Sequence, residues 1–146
     1  AASGARPAGV REGGDAVRAW LRGRGLDFPE MVLDNGAGLS RQARISPASL
    51  VSLLAQAARE PLGERFRASL PRVGEAGTVR FRLVGQPVAG RAWIKTGSLA
   101  EVRSIAGYLD AASGRRYALA MFVNGPRAGA SGAAQDRLLR WLHENG

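Results

Sequence analysis

The sequence contains no cysteine and only one histidine, His143. Disulfide bonds, thiolate zinc sites and cysteine nucleophiles are therefore excluded. A single histidine also excludes a multi-histidine metal site, and a Ser-His-Asp triad within the chain would have to use His143. We expect His143 to be a solvated residue in a C-terminal helical turn, where the helix dipole favours positive charge.

Lysine is nearly absent as well, because Lys95 is the only lysine among 21 lysine and arginine residues. The net charge of +9 invites a nucleic-acid partner. However, the arginines occur singly or in alternation, and no block of five like charges is present. We therefore predict a basic, solvated surface and no nucleic-acid partner. A lysine retained among arginines indicates a position that arginine does not fill.

No run of apolar residues is long enough to cross a bilayer. The opening stretch AASGARPAGVREGG lacks the apolar region of a signal peptide. The given sequence therefore predicts no transmembrane segment and contains no export signal. Its 146 residues amount to one domain, long enough to bury a core.

The helical spacing of Val17, Trp20, Leu21 and Arg24 predicts a first helix over residues 10–24. A second helix is predicted to begin at Pro47 with Ser46 as its N-cap, and a short third helix covers residues 61–70. A last helix follows Ser131 as its cap. Its predicted buried face is Ala134, Leu138, Trp141 and Leu142.

After the third helix, the glycine-rich residues 74–91 are ambiguous between helix and strand. Beyond them, runs of β-branched and aromatic residues predict three strands. They are the strand that contains IKTG, residues 102–111 and residues 116–123. The segment DAASGRR between the last two predicts a hairpin, and hence antiparallel neighbours. Helices followed by strands and a closing helix indicate an α+β fold.

The tripeptide Lys95-Thr96-Gly97 ends the first predicted strand. A strand edge offers backbone groups to an extended peptide, and a glycine leaves that edge clear for close approach. Thr96 can bond a terminal carboxylate, and Lys95 supplies a compact positive charge whose place the planar arginine fork would not fit. K-T-G is the third active-site element of serine-type penicillin-binding proteins and β-lactamases, whose other two elements are S-x-x-K and S-x-N.

Two longer stretches extend this similarity, VLDNGAGLSRQARISPASLVSLL and RAWIKTGSLAEVRSIAGYLDAASGRRYALAMFVN. Both resemble the D-alanyl-D-alanine carboxypeptidase/endopeptidase family of low-molecular-mass penicillin-binding proteins, which has a large insertion between its first two motifs. The resemblance covers residues 10–142. It implies the C-terminal portion of a β-lactamase/transpeptidase-like fold, with about three antiparallel strands packed against helices, so that residues 1–146 form a single partial domain.

The resemblance also implies roles for four residues. Lys95 is the catalytic member of the third element, and Thr96, Gly97 and Ser98 bind substrate, with the Ser98 N–H as an oxyanion-hole donor. No metal or organic cofactor is implied. The chain departs from the family at Ala37, where serine is usual, and at Glu101, where a small residue is expected.

The other two motifs are absent from this sequence. Because Lys95 is the only lysine, S-x-x-K would require serine at position 92, which is Ala92, and no S-x-N or Y-x-N occurs. Ser40 and Ser98 have no base at a recognisable spacing, so we assign them turn and capping roles. No nucleophile is therefore identified in this chain. We expect a C-terminal fragment that alone neither hydrolyses peptides nor reacts with penicillin.

For the full-length parent, the resemblance implies cleavage of D-Ala-D-Ala stem peptides of peptidoglycan through an acyl-serine, outside the cytoplasmic membrane. β-Lactams would acylate that intact enzyme. An apolar face or unpaired strand edge on the fragment would allow a homodimer. Two alternatives stay open: a basic, non-enzymatic module that binds an anionic polymer, and a fragment of a class A-like β-lactamase.

Overall fold

The computed structural model describes residues 9–146, which contain four α-helices and one three-stranded sheet. The helices are α1 (Val10–Arg22), α2 (Pro47–Arg59), α3 (Gly63–Ala68) and α4 (Gly132–Asn145). The strands are β1 (Ala92–Leu99), β2 (Val102–Asp110) and β3 (Arg116–Asn124). Two short 3₁₀ turns occur at Gly77–Val79 and Ala128–Ser131. The chain forms two compact units, which divide between Ser49 and Leu50.

The first unit contains α1 and the loop that leads to α2. Leu21, Phe28 and Met31 are buried, and an Arg18 N–H donates to the Met31 carbonyl. The predicted first helix is confirmed, and Leu21 of its predicted stripe is buried, whereas Val17 and Trp20 are exposed. Hydrophobic spacing alone therefore assigned this helix a broader buried face than it has.

The start of α2 follows the sequence closely. The Ser46 hydroxyl accepts a hydrogen bond from the Ser49 N–H at 3.0 Å, which is the predicted N-cap. Glu30 reinforces this cap, because its carboxylate accepts from the Ser49 hydroxyl at 2.6 Å and from the Ser46 N–H at 3.1 Å.

In the second unit, the sheet has the order β1-β2-β3, and both pairs are antiparallel. The register is unbroken from Ala92 opposite Leu109 to Leu99 opposite Val102, so a two-residue turn joins β1 to β2. Three antiparallel strands with helices confirm the predicted α+β class. The glycine-rich residues 74–91, which were ambiguous in sequence, form turns that contribute buried Val79, Leu83 and Val88.

Helices cover both faces of the sheet. On one face, Ile94, Ile105 and Leu119 pack with Leu139 of α4 in the main hydrophobic cluster. On the other face, the Tyr108 hydroxyl donates to the Leu54 carbonyl of α2 at 2.7 Å. Phe66 of α3 meets the Tyr108 ring edge-on, with centroids 6.4 Å apart.

The face that α4 buries differs from the predicted one. Gln135, Leu139 and His143 are buried, whereas Trp141 is 58% exposed. His143 is not a solvated residue, because its Nδ1 lies 2.9 Å from the Asp110 carbonyl oxygen. Two of the three buried side chains are polar, so a search for apolar residues selected a neighbouring face. Ser131 occupies the predicted N-cap position of α4, but its hydroxyl makes no capping hydrogen bond and donates to the Ala128 carbonyl instead.

Gly107 is the tightest backbone contact between β1 and β2. Its φ is +153°, and a Cβ there would overlap the Trp93 carbonyl oxygen. We predict that Gly107→Ala lowers the free energy of unfolding by about 3 kcal/mol, since the obstacle is backbone that cannot rotate away. Chemical denaturation measures this, with Gly132→Ala as control because nothing lies within 4 Å of its Cβ position. Equal stabilities of the two variants would contradict the prediction.

Glu30 gives a predicted pH dependence. Hydrogen bonds, first from the Ser49 hydroxyl and then from Ser46, lower the pKa of Glu30 from 4.5 to about 2. Because the pKa of Glu30 is lower in the folded state, its carboxylate stabilises the fold fully at pH values above 4.5, the pKa in the unfolded state. This stabilisation is lost as the pH falls through about 2. We expect Glu30→Gln to destabilise the protein at pH 7 and this deficit to shrink between those two values.

Denaturation of wild type and Glu30→Gln at a series of pH values measures this effect. Glu144→Gln on α4 removes one exposed negative charge elsewhere and serves as the control. A deficit for Glu30→Gln that stays constant down to pH 2 would show that the carboxylate does not stabilise the α2 cap.

Candidate functional site

The four residues singled out by sequence, Lys95 to Ser98, are the fourth to seventh of the eight residues of β1. Lys95 and Gly97 share one face of the strand with Trp93, and Thr96 and Ser98 share the opposite face with Ile94, because side chains alternate along a strand. Lys95 and Ser98 are exposed, whereas Thr96 and Gly97 are half-buried. The structure thus assigns Ser98 to a strand and not to the predicted turn.

The first half of β1 is paired along its outer edge. The Ile94 N–H donates to the Pro71 carbonyl at 2.8 Å, and the Ala92 carbonyl accepts from the Val73 N–H at 2.9 Å. Beyond Ile94, within residues 9–146, no backbone hydrogen bond joins this edge to another segment. Since outward-facing residues alternate, the next backbone groups on the edge are those of Thr96 and Ser98.

Within the described residues, the unpaired part of the outer edge of β1 begins at Lys95, whose side chain is positively charged. Lys95 Nζ donates to the Thr96 carbonyl oxygen at 2.5 Å, so the ammonium group lies beside the outer edge. An outward N–H at Ser98 and a positive charge next to Thr96 are suited to bind a ligand that offers a carbonyl or carboxylate oxygen.

Two arginines stack on Trp93, which neighbours Lys95 on the same strand face. The Arg67 guanidinium lies 3.9 Å from the centre of the Trp93 ring, and that of Arg72 lies 5.2 Å from it. Cation–π contacts of this kind hold both arginines against the sheet. Trp93 therefore packs within the protein, whereas Trp20 and Trp141 are exposed.

The side chain of Ser104 on β2 leaves no room for a larger residue at position 97. Gly97 lies opposite Ser104 in the register, and a Cβ at position 97 would overlap the Ser104 hydroxyl oxygen. Ser104 therefore places a hydroxyl on the strand face that carries Lys95. The sequence analysis missed Ser104, because the contact depends on the register between two strands.

Thr78 is a second residue that the sequence analysis missed. Its hydroxyl oxygen lies 2.8 Å from the Thr96 hydroxyl oxygen, within hydrogen-bonding distance. The two residues are 18 positions apart, and Thr78 belongs to the glycine-rich segment that had no clear pattern. Only the fold of that segment reveals the pair.

The loop over residues 34–41 lies in the first unit. Asn35 Oδ1 accepts from the Ala37 N–H at 2.9 Å, and the Ser40 hydroxyl accepts from the Gln42 and Ala43 N–H groups. The predicted turn role of Ser40 is confirmed. Within residues 9–146, no group of three or more histidine, aspartate or glutamate residues is arranged to hold a metal ion.

In the part of the chain that the structure describes, none of the helices has both the length and the apolarity needed to cross a membrane.

Glu101, one of the two departures from the family pattern, is exposed in the β1–β2 turn, and its carbonyl accepts a hydrogen bond from the Gly125 N–H at 2.8 Å. This hydrogen bond ties the turn that follows the Lys95 strand to the end of β3.

The profile of the D-Ala-D-Ala carboxypeptidase 3 (S13) family matches residues 1–145. D-alanyl-D-alanine carboxypeptidase DacB from Haemophilus influenzae is 32% identical over 126 residues, which are 85% of this chain and 26% of that protein. D-alanyl-D-alanine carboxypeptidase from Actinomadura sp. is 34% identical over 133 residues, which are 88% of this chain and 24% of that protein. The chain thus spans about a quarter of the length of these relatives.

The crystal structure of penicillin binding protein 4 (dacB) from Haemophilus influenzae is similar in fold, with a TM-score of 0.85 and 29% sequence identity. The match covers 95% of this chain and 33% of that one. The arrangement of helices and strands described above is therefore shared with part of a penicillin-binding protein.

The Gly97–Ser104 contact predicts an energetic coupling. Gly97→Ala would force the Ser104 hydroxyl into another rotamer, and we expect it to lower the free energy of unfolding by about 1 kcal/mol. In a Ser104→Ala background the obstructing oxygen is gone, so the same change should cost little. A double-mutant cycle by chemical denaturation measures the difference, and purely additive effects would refute the contact.

Proposed function

The chain belongs to the D-Ala-D-Ala carboxypeptidase 3 (S13) family, and on that premise we propose that it supplies the substrate-binding strand of a serine-type D-Ala-D-Ala carboxypeptidase. The substrate would be the stem peptide of peptidoglycan, whose terminal D-Ala-D-Ala ends in a carboxylate. One observation carries the proposal: among residues 9–146, β1 is paired on its outer side only as far as Ile94, immediately before Lys95-Thr96-Gly97.

An extended peptide laid along that edge would pair with the backbone of Thr96 and Ser98, as in strand addition. The Ser98 N–H would donate to the scissile carbonyl oxygen and stabilise the negative charge that develops there. Thr96 would donate its hydroxyl proton to the terminal carboxylate, and Lys95 would supply the positive charge that offsets the carboxylate. Gly97 would leave room for the acyl group beside the edge.

Peptide cleavage by this route needs a serine nucleophile and a base within hydrogen-bonding distance of it. S-x-x-K and S-x-N are absent from this sequence. We therefore propose that the chain contributes to binding and oxyanion stabilisation, and that these 146 residues alone neither cleave peptide nor form an acyl-enzyme with penicillin.

Other properties follow from the same proposal. The complete protein would act in the periplasm or another extracytoplasmic space, where its polymer substrate lies, and β-lactams would acylate it. It would need neither a metal nor an organic cofactor, because serine, lysine and backbone donors supply the chemistry. Strand pairing between two copies along the outer edge of β1 would give a homodimer of the isolated chain.

The alternative of a basic module for anionic polymers receives less support, because several arginines are engaged within the protein. Arg82 pairs with Asp136 at 2.5 Å, and Arg116 pairs with Asp110 at 2.6 Å. The hydrogen bond from Arg116 lowers the pKa of Asp110, which keeps that partner charged. These two guanidinium groups pair with carboxylates of the same chain, which offsets their positive charge.

Binding of a minimal ligand tests the proposal. We expect Nα-acetyl-D-Ala-D-Ala to shift the backbone amide NMR signals of Thr96, Gly97 and Ser98 in ¹⁵N-labelled protein. The same dipeptide with a C-terminal amide in place of the carboxylate should bind more weakly. Lys95→Ala and Lys95→Arg should each weaken binding of the acid by about tenfold, because a charge-assisted contact is lost or misplaced.

Arg140→Ala is the matched control, since it removes one positive charge from the exposed side of α4. The control variant should bind the acid as wild type does. If the acid and the amide bound equally, or if Arg140→Ala weakened binding as much as Lys95→Ala, carboxylate recognition at β1 would be refuted.

A further inference from the structure

We propose that Thr78 is a positioning residue for the candidate site, which directs the hydroxyl proton of Thr96 toward the carboxylate of the ligand. The inference rests on the proposed function, because it assumes that Thr96 meets a carboxylate. The observation behind it is the 2.8 Å separation of the two threonine hydroxyl oxygens. No other side chain in residues 9–146 has a described hydrogen bond to the Thr96 hydroxyl.

The backbone around Thr78 is fixed on both sides. Val79 is fully buried, and its carbonyl accepts from the Gly74 N–H at 3.0 Å. Gly77 has φ +56°, and a Cβ there would lie 3.0 Å from the Pro71 side chain. The Pro71 carbonyl in turn accepts a hydrogen bond from the Ile94 N–H of β1.

This anchoring has a consequence for the exposed side chain. The segment that covers the first half of the β1 edge also carries Thr78, and it brings the Thr78 hydroxyl to the first residue of the uncovered half. Thr78 is exposed and takes no part in the hydrophobic core. Its hydroxyl is therefore placed by the fold without contributing to core packing.

The direction of the hydrogen bond between Thr78 and Thr96 decides whether Thr96 can donate to a ligand. A hydroxyl has one proton to donate, and an ionised carboxylate can only accept. If Thr96 donated to Thr78, it would present only lone pairs to a carboxylate, which would repel them. When Thr78 donates to Thr96, the proton of Thr96 is free to bond the carboxylate. Chained hydroxyls that donate in one direction also strengthen each other.

Two variants separate the hydroxyl of Thr78 from its shape. Thr78→Val keeps the branched side chain and removes the donor, and Thr78→Ser keeps the donor and removes the methyl group. Because position 78 is exposed, we expect both variants to fold and to have nearly wild-type stability.

The first measurement needs no ligand. Three-bond couplings from the Thr96 methyl carbon to its backbone nitrogen and carbonyl carbon report the χ1 rotamer. We expect one rotamer in wild type and in Thr78→Ser, and rotamer averaging in Thr78→Val, where the partner hydroxyl is lost. An unchanged single rotamer in Thr78→Val would overturn the positioning role, whatever the ligand does.

The second measurement uses Nα-acetyl-D-Ala-D-Ala and its C-terminal amide. We expect Thr78→Val to bind the acid about three- to tenfold more weakly, the loss typical of one hydrogen bond, and Thr78→Ser to restore binding. Binding of the amide should change little, since an amide can donate as well as accept. Equal loss for acid and amide, or no rescue by serine, would overturn the proposal.

The two measurements distinguish this inference from the proposed function. Wild-type protein that shows no preference for the acid refutes the proposed function, and with it the ligand-directed role of Thr78. A clear preference in wild type that Thr78→Val leaves intact refutes only the role of Thr78.

Discussion

The arrangement of the candidate site depends on the partial pairing of the outer edge of β1. β1 pairs with β2 on its inner side along its whole length, whereas the described part of the chain, residues 9–146, pairs with its outer side only as far as Ile94. Backbone groups at an unpaired edge favour pairing with another extended segment. Here the uncovered part coincides with the lysine, threonine and glycine that the sequence singles out. The same geometry therefore supplies both the stability of β1 and the backbone groups that a ligand would use.

The rest of the second unit supports that edge. α4 packs on one face of the sheet through Leu139, and α2 and α3 meet the other face at Tyr108. Burial of a large side chain on each face contributes about 2 kcal/mol per residue and fixes the plane of the sheet. With the plane fixed and Gly107 allowing close approach of β2, the position of Lys95 is set by the rigid part of the molecule rather than by a loop.

Sequence patterns performed well where the deciding interactions are local. The Ser46 cap, the hairpin between β2 and β3 and the strand that contains Lys95 all depend on residues close in the chain, and each was predicted. Patterns failed where distant groups decide. His143 and Gln135 are buried because they meet the Asp110 carbonyl and Arg82, and hydrophobic spacing carries no information about such partners.

The sequence by itself singled out the candidate site, because Lys95-Thr96-Gly97 is continuous in the chain and Lys95 is the only lysine. It also determined the antiparallel sheet, since short turns leave neighbouring strands few alternatives. Only the tertiary structure decided where the covered edge ends, which hydroxyl meets Thr96, and which face α4 buries. These features depend on contacts between residues many positions apart, and their geometry is set by packing that no local pattern encodes.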